Sequence, residues 1–183
     1  MGGFYDIYGF SKNRNKETID KFIAHYANRK EVENCGNCEL VIQKYKKYIS
    51  NELLIPVKTL SEVIDYGIKN KNHGYAFYLP LTGLKEDIKS VILKFTYDSS
   101  IIFGLSIEAE SDSEEDNYLR AFELETEMRE LFFTVETSIQ FEYPPSEDEE
   151  DFKESKKAWE EMNKEGLKQI IRNLAKNNLR INP

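Results

Sequence analysis

Long apolar runs are missing from this chain of 183 residues. The longest, over residues 100–107, falls far short of the roughly 20 residues that a bilayer-spanning helix needs. No basic residue precedes Lys12 and no apolar segment follows it closely, so no secretory leader is expected. Asp6 stands where a myristoylation signal needs Ser or Thr. Cys35 and Cys38 are the only cysteines, and without an export signal they point to a reducing compartment, the cytoplasm. The chain is long enough to bury a core without disulfide or metal support.

Catalytic signatures are equally sparse. There is no G-x-S-x-G elbow, no G-x-x-x-x-G-K-[ST] loop and no G-x-G-x-x-G turn. Only His25 and His73 can serve as imidazole bases, and no nucleophile stands in a defined relation to either. Cys35-Gly36-Asn37-Cys38 is a lone CxxC. A zinc site needs a second ligand pair, and a thioredoxin-type site needs the motif between a strand and a following helix. Here it follows a helical pattern and precedes a strand, so a Gly-Asn turn with two incidental thiols is expected. No cofactor is expected.

What the chain has in excess is negative charge, and it is concentrated. Residues 1–109 carry 15 basic and 13 acidic side chains, residues 110–151 carry 2 and 16, and residues 152–183 carry 8 and 4. The middle segment repels a phosphate backbone, so no nucleic-acid surface is expected. It attracts basic partners, cations, or the chain's own basic C-terminal helix. Asp112, Glu114, Asp116 and Glu123 match calcium-loop positions 1, 3, 5 and 12, but Asn117 occupies the position where the sharp turn wants Gly, and a strand rather than a helix precedes the loop. A solvated acidic loop that favours a helix N-terminus is the simpler expectation.

Hydrophobic periodicity divides the rest into elements. An aromatic strand over residues 4–10 is followed by a helix over about 15–28, carrying Ile19, Phe22, Ile23 and Tyr26. Leu40-Val41-Ile42 forms a short buried strand, and Pro56 breaks the chain. Thr59 and Glu62 form a capping box for a helix over about 59–69. A strand over residues 75–79 comes next, then two β-rich runs, 90–97 and 101–107, joined as a hairpin by Asp98-Ser99-Ser100. The near-continuous apolar run from Ile101 to Leu105 suggests a central strand covered on both faces. A helix over about 117–132, capped by Asp116, draws on Leu119, Phe122, Met128, Leu131 and Phe132. A last strand over residues 137–143 ends at Pro144-Pro145. A long helix follows, which Gly166 is expected to split. Tyr5, Tyr8, Tyr75 and Tyr78 recur along two strands, where ordinary packing of half-buried strands is the expectation and a contact platform the alternative if one sheet face stays open.

The fold expected is therefore a single α+β domain over residues 1–183, with about six mostly antiparallel strands in the order β-α-β-α-β-β-β-α-β-α and about four helices. Residues 151–183 form its C-terminal helical segment. The function expected is a non-enzymatic soluble binding protein that engages a basic protein partner, in the manner of a bacterial immunity-type protein that caps a toxin nuclease. The candidate partner-binding residues are Glu110, Asp112, Glu114, Glu115, Asp116, Glu123, Glu127 and Glu130. A carboxylate-rich enzyme dependent on a divalent cation and a self-associating structural domain are the alternatives. Membrane and nucleic-acid partners are not expected; a homo-oligomer is compatible with the sequence but not indicated by it.

Overall fold

The computed structural model describes residues 3–44, 53–109, 114–132 and 134–181. Its elements are β1 (Phe4–Ser11), α1 (Lys16–Tyr26), β2 (Asn34–Ile42), β3 (Leu53–Thr59), α2 (Leu60–Lys69), β4 (Tyr75–Tyr78), β5 (Ile88–Phe95), β6 (Ile101–Glu108), α3 (Glu114–Leu131), β7 (Glu136–Phe141) and α4 (Glu149–Ile181). Five strands form one sheet in the order β4-β5-β6-β1-β7, antiparallel throughout, and β2 pairs with β3 in a separate two-stranded sheet. The α+β class, the mainly antiparallel sheet and the four helices agree with the sequence reading.

Alternation along the strands sorts side chains between two faces. On one face, Tyr5 and Ile7 of β1, Val91 and Leu93 of β5 and Phe103 and Leu105 of β6 meet the buried stripes of α1, α2 and α3 in the main core. On the other, Tyr8, Phe10, Ile92 and Ile102 form a smaller cluster closed by Phe152 from α4. The apolar run from Ile101 to Leu105 is thus central and covered on both faces, as expected. Gly9 lets α3 lie close on β1: a Cβ there would fall 2.4 Å from the Met128 sulfur.

The Thr59 capping box is present, with Glu62 N–H donating to Thr59 Oγ1 at 3.1 Å and Thr59 N–H donating to the Glu62 carboxylate at 3.2 Å. The β5–β6 hairpin also stands as read. Four local expectations change. Pro56 does not break the chain but lies inside β3, opposite Glu39 of β2; a strand of a two-stranded sheet has a free edge, where a missing N–H costs no ladder bond. The CxxC lies within β2, not in a turn, and Gly36 takes a left-handed φ of 71° at an irregularity in the β2–β3 register. Helix α3 starts at Glu114, so Asp116 sits in its first turn and does not cap it; carboxylates favour that end of a helix.

The fourth change is α4, which passes through Gly166 unbroken. It begins against the second sheet face, with Phe152 5.8 Å from Phe10. It runs beside the edge strand β7, where Lys153 and Lys156 lie 4.0 and 3.8 Å from the Glu136 carboxylate. It then reaches α3, where Asn173 donates to Glu115. A Cβ at Gly166 would meet nothing within 4 Å. Gly166→Ala is therefore expected to stabilise the protein by about 0.5–1 kcal/mol, through helix propensity and a less disordered unfolded chain, read as a higher urea midpoint at constant slope.

Candidate partner-binding surface and a hollow on the sheet

Helix α3 buries Ala121, Leu124, Met128 and, just past its end, Phe132. That spacing fixes one stripe against the sheet. Leu119 and Phe122, which helped mark the helix in sequence, fall outside it and remain 38% and 47% exposed. Both stripes have helical spacing, so periodicity alone did not separate the core-facing residues from the outward ones.

Asp116, Glu123, Glu127 and Glu130 are exposed and spaced by seven, four and three residues, so they share one line along α3, with Leu119 between the first two. Several already have partners. Glu123 pairs with Arg120 at 3.4 Å, and Glu127 accepts from Tyr26 Oη at 3.2 Å and lies 3.2 Å from His25 Nε2. Glu115 is half-buried against Asn173. Such exposed pairs hold their charge only weakly. Glu110 and Asp112 lie outside the described residues, and Glu114 is described only as the first residue of α3. The calcium-loop reading begins at Asp112 and so shares that limit. Among the described residues, no group of three or more His, Cys, Asp or Glu side chains is arranged to hold a metal ion.

Glu125 belongs to a different environment from its acidic neighbours. It is 9% exposed and accepts from Thr137 Oγ1 at 2.7 Å, with Arg129 at 3.3 Å. It ties α3 to β7 and contributes no outward charge. Burial, with Cys38 next, pushes the Cys35 thiol up to about 11, away from the thiolate form. Cys38 Sγ lies 2.7 Å from the Cys35 carbonyl. His73 meets the Tyr66 hydroxyl through Nδ1 at 2.8 Å, and burial lowers its pKa.

The second face of the sheet is only partly covered. Beyond Phe152 it opens into a hollow of about 590 Å³. Tyr8, Tyr78, Tyr143 and Ile92 form much of its wall, and Asp6 is its buried acid. Burial raises the Asp6 pKa; the Ser106 hydroxyl, 2.5 Å from Oδ1, and the Tyr143 N–H, 3.0 Å from Oδ2, offset part of the rise. Tyr8 Oη donates to the Tyr143 carbonyl at 2.6 Å, which holds the wall together. Lys89 and Glu108 pair at 3.1 Å and line the hollow. The same pair lines a smaller depression with Asp116, Asn117 and Arg120, so the hollow borders the start of α3.

The chain matches no family model, no curated protein and no solved structure.

The four tyrosines do not make one platform. Residues three apart on a strand point to opposite faces. Tyr5 and Tyr75 therefore enter the main core, while Tyr8 and Tyr78 face the hollow. The hollow itself was not legible in the sequence, because it joins β1, β4, β5 and β6 with the segment after β7. Its one local signal was Asp6, an acid within an otherwise aromatic strand.

Proposed function

We propose that the protein is a non-enzymatic binding protein that engages a basic protein partner through the outer face of α3. The observation that carries this reading is the pairing of exposed Phe122 and Leu119 with the carboxylate line of Asp116, Glu123, Glu127 and Glu130. Aromatic anchors supply affinity in protein interfaces, and surrounding charge steers encounter and sets register. A toxin nuclease, whose nucleic-acid-binding surface is basic, is the kind of partner this charge suits. The two unpaired thiols favour a reducing compartment such as the cytoplasm.

The test starts with the partner captured by the full chain from its native host and identified by mass spectrometry. Affinity is then measured for purified components. Phe122→Ala is expected to weaken binding at least about tenfold, the effect of losing a buried aromatic anchor. Asp116→Asn, Glu123→Gln, Glu127→Gln and Glu130→Gln together are expected to slow association and flatten its salt dependence. An acidic partner, or a basic one indifferent to both variants, would overturn the reading.

A further inference from the structure

We propose that the hollow on the second sheet face receives an arginine side chain from the basic partner. The source of that side chain rests on the function proposed above; the chemistry of the site does not. Asp6 is 7% exposed, and among the described residues only neutral donors satisfy it. Those two donors leave acceptor capacity, since an ionised carboxylate has about four lone-pair sites. Glu142 also lines the hollow, and among the described residues the one lysine in its wall, Lys89, is paired with Glu108. Among those residues the wall is therefore short of positive charge.

Its aromatic walls sharpen the choice of ligand. Tyr8, Tyr78 and Tyr143 line the hollow with the buried acid, Tyr78 and Tyr143 being the exposed ones, and an aromatic wall suits a cation with a flat, weakly hydrated head. A guanidinium stacks on tyrosine and donates to a carboxylate at once, whereas an ammonium is a compact, strongly hydrated charge. Phe4, Leu81 and Pro144 can cover the aliphatic stem. The position agrees as well. The Lys89–Glu108 pair separates the hollow from the depression at Asp116, so a partner lying along α3 reaches the hollow across one ion pair.

The test titrates the isotopically labelled full chain with acetyl-Gly-Arg-Gly-amide and follows backbone amide shifts. Millimolar binding centred on Tyr8, Tyr78, Ser106 and Tyr143 is expected, with the citrulline peptide, a neutral isostere, at least about tenfold weaker. Tyr78→Ala, at a site 54% exposed, keeps the fold and is expected to weaken the arginine peptide by roughly tenfold. Asp6→Asn is expected to do the same and to fold, because its amide can donate to Ser106 Oγ while its oxygen accepts the Tyr143 N–H. Equal binding of the two peptides, tighter binding of a Gly-Leu-Gly peptide, or shifts confined to α3 would each overturn the proposal. Neutralising the α3 carboxylates should leave this titration unchanged. Failure of the hollow thus appears in the peptide experiment alone, and failure of the α3 reading in the partner experiment alone.

Discussion

Replacing Arg14 by methionine is expected to destabilise the protein by about 3–5 kcal/mol, the cost of stripping donors from buried polar groups. Arg14 is 5% exposed, and its guanidinium lies within hydrogen-bond distance of six backbone carbonyls. Gly67, Asn70 and Lys71 belong to the end of α2 and the residues just after it, His73 to the following turn, and Thr96 and Ser100 to the β5–β6 turn. The closest contact is to Thr96 at 2.6 Å. Five N–H donors thus join the C-terminus of a helix to a hairpin, and the positive charge also sits favourably at that helix end. The head group stacks 4.9 Å from the Phe95 ring centre. Methionine fills part of the volume and satisfies none of the carbonyls. Lysine keeps the charge but has only three donors and no planar fork, so Arg14→Lys should fall between the two. Urea unfolding measures both; a loss below about 1 kcal/mol for Arg14→Met would mean that water replaces the guanidinium, against its burial.

Truncation of Phe22 to alanine is expected to cost about 3–5 kcal/mol as well, by a different route. Its ring is fully buried and packs against Phe103 of β6 at 4.5 Å, against Tyr26 at 5.2 Å and against Phe132 at 5.2 Å. The cluster joins α1 to the sheet and to the end of α3, so no single side chain can move in to refill the space. Phe22→Leu keeps most of the volume and is expected to cost less than about 1.5 kcal/mol. Phe122→Ala provides the contrast. Phe122 is 47% exposed on α3, and its loss should change stability by no more than about 0.5 kcal/mol while weakening partner binding. For a chain of this size each kcal/mol moves the melting temperature by about 2–4 °C, so Phe22→Ala and Phe122→Ala should separate clearly in a thermal scan.

Local chemistry was legible where it determines local structure. The Thr59–Glu62 box, the β5–β6 hairpin and the covered central strand all follow from neighbours in sequence, and each stands where it was expected. Pro56 sits within β3 rather than breaking the chain, because among the described residues that strand pairs only with β2 and so does not need every N–H for a ladder. Leu119 and Phe122 have the same spacing as a core stripe, and only the approach of the sheet selects Ala121, Leu124 and Met128 instead. Arg14 gave no signal, since its partners are carbonyls 53 to 86 positions away and every residue has a carbonyl. The hollow was hidden for a related reason: Asp6, Tyr78 and Ser106 come together only through a strand order that no local pattern specifies.

The most direct measurement of partner engagement is zero-length carbodiimide cross-linking of the full chain to its captured partner, read by mass spectrometry. This chemistry joins a carboxylate to a lysine only where the two touch. Links from partner lysines to Asp116, Glu123, Glu127 and Glu130, suppressed by raised salt, are the expected result. Links running from lysines of α4 to acidic residues of the partner, with α3 unmarked, would contradict the proposed mode of binding.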